Sequence, residues 1–486
     1  MSRLEEEYKS RKEKIEKIES NKVYPAQVKR THHINDVLVD FESLKKNNEG
    51  IYITGRVRSI RLHGGSCFIH VEDGSGKIQA YVKRDTVGQE QYSFFKDMFD
   101  IGDFIQLRGT LFTTKKGEKT VQISNFSLLS KALLPLPEKW HGLSDVEIRY
   151  RKRYLDLIAN SGVKDIFQKR AQIIKSIRSF LDQRDFIEVE TPILQPIPGG
   201  ANAKPFITHH NALNTDLYLR IAPELYLKRL IIGGYDKVYE IARCFRNEGI
   251  DRDHNPEFTQ VEFYAAYWDY QRMMDETEKL IKKVVYDLYQ SLHITYEQHK
   301  INFTPPYERI TFRDAIQKNT KINIDKRSLF SAAKKIGADV ASTDTKAKIL
   351  DELFKTFVRP KLVKPTFIID YPIELSPLAK KKENDPRYAE RFQLVAATME
   401  LCNAFSELND PLDQMDRFKL QEKMRSAGDE EAQRIDDDFI EALSHGMPPT
   451  AGIGIGIDRL TSLLTNTHNI KEVILFPILK PLNNES

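Results

Sequence analysis

Residues 51–129 fall into five short runs in which apolar and polar positions alternate: IYITGRVRSIRL, SCFIHVED, KIQAYVKRD, FIQLRGTLF and KTVQISNFSLL. A period of two predicts strands with one buried face, and the glycines between the runs predict turns. Between the third and fourth runs, QEQYSFFKDMF keeps helical spacing. Ahead of the strands, residues 1–20 mix acids and bases around Leu4, Tyr8, Ile15 and Ile18. That sparse apolar set predicts an exposed, charged helix. The stretch 131–150 holds two prolines and a glycine and reads as a linker. From Tyr154 onward long helical patterns alternate with strands, and 307–360 has weak periodicity with many Lys, Asp and Thr. This predicts a first domain over 21–138, a linker over 139–165, and a second domain over 166–486 interrupted by a small helical insertion at about 307–360.

Five strands with a helix after the third are the pattern of an OB-fold barrel, which often binds oligonucleotides but also serves in interaction modules. The fold class expected for the whole chain is α/β (α+β), with an antiparallel sheet flanked by helices in the larger domain. A length of 486 residues with 40% hydrophobic and 30% charged residues fits a globular protein with ample core. No apolar run reaches the roughly 18 residues of a membrane span. The N-terminus lacks the apolar core of a signal peptide. Three scattered cysteines, Cys67, Cys244 and Cys402, form no CxxC pair. They predict reduced thiols and a cytoplasmic location, and speak against a disulfide framework or a structural zinc site. The net charge is only +4, and residues 21–138 hold 17 Lys/Arg against 13 Asp/Glu. A mildly basic first domain is compatible with RNA contact and equally with ordinary surface variation.

The richest stretch chemically is Cys244 to Tyr264, CFRNEGIDRDHNPEFTQVEFY. Arg246 offers a bidentate grip on a phosphate or carboxylate. Phe258 offers a flat face to a nucleobase. Glu262 and Tyr264, two apart, point to one side of a strand. A phosphate grip, a stacking ring and an acidic patch together suggest a site that joins a nucleotide to a cationic substrate.

FRNEG…HNPEFT resembles motif 2 of the class II aminoacyl-tRNA synthetases, and EFY after it is similar to the lysine enzymes. GIGIGIDRL (Gly452 to Leu460) resembles motif 3, and IRSFLDQRDFIEVETPIL (Ile177 to Leu194) resembles motif 1, a long helix and then a strand ending at Pro192. The three occur in the family's order. The resemblance implies activation of L-lysine by ATP to lysyl-adenylate, then transfer to tRNA(Lys), by a homodimer built on motif 1. It implies Arg246 and Arg459 as catalytic cations. Glu248, His254, Phe258, Glu400 and Gly456 join them as ATP contacts. Gly200, Glu224, Glu262, Tyr264, Asn403, Phe405 and Glu407 join Arg246 as lysine contacts. Glycines 452, 454 and 456 alternate with isoleucines, which on a strand leaves one bare face for the adenine. Three carboxylates in one pocket are costly to desolvate unless a cation enters. Aspartate- or asparagine-specific relatives would need basic or amide groups there instead.

In the first domain Phe68, Gln79 and Glu118 match the family's anticodon-reading positions, as a stacking ring, an amide and a carboxylate. Phe68 faces outward or fills the barrel core. Arg56 and Arg58 share one face as candidate phosphate contacts. Two positions depart from the family. Its magnesium ligands are two glutamates seven apart, and here Glu400 follows Gln393; before His254 stands Asp253, where some members carry arginine. A ligase that charges a protein lysine would lack the barrel domain, and a degenerate synthetase would lack Arg246 or Arg459.

Overall fold

The computed structural model describes residues 3–18, 23–48, 50–137, 143–326, 329–426 and 432–482. The chain forms two compact units, residues 1–144 with 154–160, and residues 145–153 with 161–486.

In the first unit, helix α1 (Arg3–Glu16) buries no residue, as its charge pattern requires. It is nonetheless tied down: Lys14 Nζ lies 2.7 Å from Asp100, and Arg11 donates to the Ala132 carbonyl at 2.8 Å. Strands β1 (Ile51–His63), β2 (Ser66–Glu72), β3 (Lys77–Lys83), β4 (Phe104–Thr113) and β5 (Lys119–Ser130) close into a barrel in the order β1-β2-β3-β5-β4. Helix α2 (Gln89–Met98) follows β3, as its spacing predicted. Alternation places Ile53, Val57, Ile69, Val71, Ala80 and Val82 inside at zero exposure. Phe68 sits in the outward set of β2, whose burial alternates residue by residue, so its ring is not barrel core.

The expected linker is not an irregular connection. Of its residues, 139–142 lie outside the described ones, and helices occupy Val146–Arg151 and Arg153–Ala159. Asp145 caps the first of these by accepting from Ile148 N, a stop-and-start signal that the prolines and glycine upstream obscured.

The second unit is built on an eight-stranded sheet. Helix α3 (Ser161–Asp182) leads into β6 (Ile187–Glu188), only two residues long, so the motif 1 strand is shorter than expected. Helix α4 (Glu224–Ile232) precedes the hairpin β7 (Lys237–Phe245) and β8 (Glu257–Ala266). After helix α5 (Tyr270–Tyr289) come β9 (Glu308–Thr311), the insertion helices α6 (Phe312–Thr320), α7 (Leu329–Lys335) and α8 (Lys346–Leu353), and then β10 (Thr366–Pro372). The insertion therefore starts at Phe312 rather than 307, because Glu308–Thr311 pairs in parallel with β10. Its apolar residues, including Phe312, Leu350, Phe354 and Val358, cluster with Ile368, Tyr371 and Val395 of the sheet. Strands β11 (Tyr388–Ala396), β12 (Met399–Ser406) and β13 (Thr450–Gly456) complete the sheet, in the order β9-β10-β11-β12-β13-β8-β7-β6, and β13 runs into helix α9 (Ile457–Thr465).

Helices α3, α5 and α9 bury Ile177, Leu280, Ile281 and Leu463 against Val261, Phe263, Ile453 and Ile455 of the sheet. With a period of two, the intervening residues Gln260, Glu262, Tyr264, Gly452, Gly454 and Gly456 point to the opposite face. That face carries the site.

Candidate active site and nucleic-acid face

The register lays the site out in rows across three central strands. Tyr264 of β8 pairs with Gly452 of β13, which pairs with Phe405 of β12. One row along, Glu262, Gly454 and Asn403 stand side by side, and Gln260 then meets Gly456. Bare glycines in the middle strand lower the floor between two polar walls. A cavity of about 360 Å³ opens above it. Its lining includes Gly200, Glu224, Arg246, Glu248, His254, Phe258, Glu262, Tyr264, Glu400, Asn403, Phe405, Gly456 and Arg459.

At the basic end, the Arg246 guanidinium stands 5.0 Å from the Phe258 ring centroid, and its Nε is buried without a hydrogen-bond partner. Arg459, one turn into α9, reaches the Glu400 carbonyl at 3.4 Å and His254 Nε2 at 3.3 Å. The loop tip is held from inside. Asp251 accepts from the backbone N–H groups of Asp253 and His254, both at 2.7 Å, and from His254 Nδ1. Asp253 lines the cavity, whereas Arg252 turns towards Glu297 at 3.5 Å.

At the acidic end, Glu262 accepts from Gln260 Nε2 at 2.6 Å and from the Tyr264 hydroxyl at 2.9 Å. Burial, with the charge of Glu224 next, pushes its pKa up to about 8. Glu224 opens α4 beside Gly200, whose φ of +89° and 2.9 Å clearance to Glu224 exclude a side chain. Burial also raises the Glu224 carboxyl, and Lys228 pulls it partly back. Gly452 is as constrained by space: a Cβ there would stand 2.2 Å from the Tyr264 ring and 2.3 Å from Glu407 Oε1.

Two expected positions sit differently. Glu407 is 1% exposed and does not line the cavity; its carboxylate faces Lys228 Nζ at 2.5 Å. Gln393 is also absent from the lining, and its amide oxygen accepts from the Tyr371 hydroxyl at 2.6 Å. Gln393 thus stands apart from Glu400, which does line the cavity. No group of three or more His, Cys, Asp or Glu able to hold a metal occurs among the described residues.

Three residues escaped the sequence reading: Lys228, Gln260 and Arg391. Arg391 lines the cavity, and its Nε donates to Asn403 Oδ1 at 2.8 Å, which leaves the Asn403 NH₂ as the free donor. In sequence they read as an ordinary basic helix residue and two strand residues; Gln260 shares the Glu262 face of its own strand, and only cross-strand register brings Arg391 to the site.

On the barrel, Phe68 packs on Tyr81 at 4.5 Å between centroids, and Arg61 stands directly across from Phe68 on β1. Gln79 donates to Glu118 at 2.7 Å and accepts from Thr120 Oγ1 at 2.8 Å, while His70 Nε2 lies 3.0 Å from the other Glu118 oxygen. Ring and carboxylate face outward, while the Gln79 amide lies beneath them, 6% exposed and committed to Glu118 and Thr120. Arg56 and Arg58 are otherwise engaged: Arg56 covers the Phe104 ring at 4.2 Å, and Arg58 pairs with Glu72 at 3.0 Å.

Comparison with known proteins agrees with this geometry. Residues 145–480 match the family described as tRNA synthetases class II (D, K and N), and residues 51–129 match the OB-fold nucleic acid binding domain. A lysine–tRNA ligase of Pelotomaculum thermopropionicum is 49% identical, covering 98% of this chain and 96% of its own. One from Clostridium tetani is 49% identical over 94% and 92%, and one from Carboxydothermus hydrogenoformans is 49% identical over 98% and 99%. With a family match over most of its length and relatives at half identity end to end, the chain belongs to the class II tRNA synthetases, in the group whose similar members carry the name lysine–tRNA ligase.

Proposed function

We propose that this protein is a lysine–tRNA ligase: it activates L-lysine with ATP, releasing pyrophosphate, and transfers the lysyl group to the 3′ end of tRNA(Lys). The observation that carries this reading is the row Glu262–Gly454–Asn403 beside Tyr264–Gly452–Phe405, an acidic, ring-walled slot running up to Arg246. The slot takes an alkylammonium chain, and Arg246 at its mouth takes the carboxylate.

Activation is attack of the lysine carboxylate on the α-phosphorus, which asks for positioning and charge neutralisation rather than a protein nucleophile. Arg246 brings carboxylate and α-phosphate together, and Arg459 holds the γ-phosphate end. Phe258 stacks the adenine over the bare β13 face, with Glu248, His254 and Gly456 around it. Glu224 with the Gly200 backbone takes the α-amino group, Glu262 and Tyr264 the ε-ammonium, Phe405 the stem, and the Asn403 NH₂ the α-carboxylate. Glu407 acts from behind, through Lys228. Glu400 is the carboxylate that would hold a Mg²⁺ bound with ATP, and such an ion would supply charge neutralisation at the phosphates.

Phe68, Gln79 and Glu118 read the anticodon, with domain 21–138 as the anticodon domain and 166–486 as the catalytic one. Homodimerisation through motif 1 accounts for the exposed Ile187, Ile193 and Leu194, each 44–50% exposed. No described helix is long and apolar enough to cross a membrane. The buried free cysteines support a cytoplasmic location. The test is ATP–pyrophosphate exchange with each amino acid, without tRNA. Exchange with lysine alone is expected; exchange with aspartate or asparagine instead overturns the substrate assignment.

A further inference from the structure

The acidic end of the cavity holds a cation of its own. Lys228 lies one helical turn after Glu224 on α4, and its side chain is fully buried. Its Nζ is 2.6 Å from Glu224 Oε1 and 2.5 Å from Glu407 Oε2. The rings of Phe405 and Phe439 enclose it at 5.5 and 5.9 Å. Burial alone would favour the neutral amine, but the two carboxylates outweigh it and hold Lys228 charged. An ammonium costs several kcal/mol to bury and is kept only where partners compensate it.

The charge count gives it a purpose. Glu224, Glu262 and Glu407 together bring three carboxylates, 6%, 5% and 1% exposed, to the acidic end of the cavity. L-lysine brings two ammonium groups, and its carboxylate goes to Arg246. Two ammonium groups leave one of these three carboxylates unmatched, and Lys228 supplies the third cation; Arg391 lies in the same cavity and also draws on Glu224, but its Nε is spent on Asn403. Its position fixes which one: it locks Glu407 behind the wall and orients Glu224, whose second oxygen stays available. Glu262, held by the neutral donors Gln260 and Tyr264, has no internal cation among its hydrogen-bond partners.

We infer that Lys228 is a positioning residue for substrate recognition, an internal third ammonium that bridges Glu224 and Glu407 and sets the slot's charge to match a two-ammonium amino acid. The inference rests on the lysine-slot reading above.

The test is a charge cycle on the full-length protein, read by lysine- and ATP-dependent pyrophosphate exchange and by thermal melting. Lys228→Met removes the cation at similar length, and Glu407→Gln removes one carboxylate at constant shape. Lys228→Met alone should raise the KM for lysine about tenfold or more, with the KM for ATP within about twofold. The double variant Lys228→Met/Glu407→Gln, charge-balanced again, should recover at least about threefold of that loss. Unchanged lysine KM in the single variant, or simple additivity in the double, overturns the inference. If Lys228→Met fails to fold, folding of the double variant supports charge matching, and failure of both shows a purely structural lysine and overturns it. No lysine-dependent exchange by the unmodified protein would instead overturn the substrate reading itself.

Discussion

Arg170 and Asp458 form an ion pair of 2.5 Å between the motif 1 helix and the first turn of the motif 3 helix. Asp458 also accepts from Thr259 N at 2.9 Å, and Arg170 donates to Thr259 Oγ1 at 3.1 Å. One buried carboxylate therefore ties α3, β8 and α9 together beside Arg459. Thr259 follows Phe258, so the ring proposed to stack the adenine and the cation proposed for the γ-phosphate, Arg459, are aimed by the same knot.

Breaking that knot should cost both stability and nucleotide binding. Arg170→Ala leaves Asp458, 2% exposed, without its cation. Such a buried orphan charge costs about 3–5 kcal/mol, less here because Arg170 is partly exposed. The expected result is a clear fall in melting temperature and a rise in the KM for ATP larger than that for lysine. An equal rise in both constants would refute the link to Arg459.

Gly452 should tolerate no side chain. A Cβ at that position meets the Tyr264 ring at 2.2 Å and Glu407 at 2.3 Å, well inside van der Waals contact. Gly452→Ala should abolish lysine-dependent exchange while leaving ATP binding, measured directly by calorimetry, nearly unaltered. Retained exchange would mean that Tyr264 and Glu407 yield more easily than the packed sheet suggests.

Lysine binding should release protons near neutral pH. The free Glu262 carboxyl, raised to about 8 by burial and the charge of Glu224, is largely protonated at pH 7, and an arriving ammonium favours its ionised form. Lysine affinity should therefore improve as pH rises towards 8. The sign for stability is the reverse: a carboxyl whose pKa is raised by folding stabilises the fold at low pH, and that contribution is lost as pH climbs towards about 8. Titration calorimetry in buffers of different ionisation heat reads the release directly. Glu262→Gln should remove it and raise the lysine KM strongly, with the ATP constant near normal; release that persists in this variant would assign the proton elsewhere.

Phe68→Ala should separate the two half-reactions. Loss of a base-stacking ring costs about 1–3 kcal/mol of RNA binding. Aminoacylation should weaken through the KM for tRNA, while lysine-dependent exchange stays intact. A parallel loss of both activities would end the anticodon assignment.

How much of this was legible without coordinates depends on the range of the interaction. The barrel's strands followed from alternation, with the helix after the third strand marking the pattern, because strand burial repeats every two residues; closure rests on the non-local pairs β1–β4 and β3–β5. Arg246, Phe258 and Glu262 were legible because one hairpin carries all three within a single stretch of chain. Gly452, Gly454 and Gly456 announced a bare strand face by their spacing. The helices at 146–159 were missed because the prolines and glycine upstream masked the local cap at Asp145; the start of the insertion at Phe312 and the two-residue β6 were missed because pairing with distant strands sets their ends.

What the sequence determined is the set of chemical groups and the elements that carry them. What only the tertiary structure decided is which groups face each other. Register across β8, β13 and β12 made a slot of residues nearly two hundred positions apart. The same packing turned Gln393 onto Tyr371 and closed Glu407 and Lys228 behind the wall. Burial then moved the Glu262 pKa, an effect of low dielectric and neighbouring charge that no local pattern encodes.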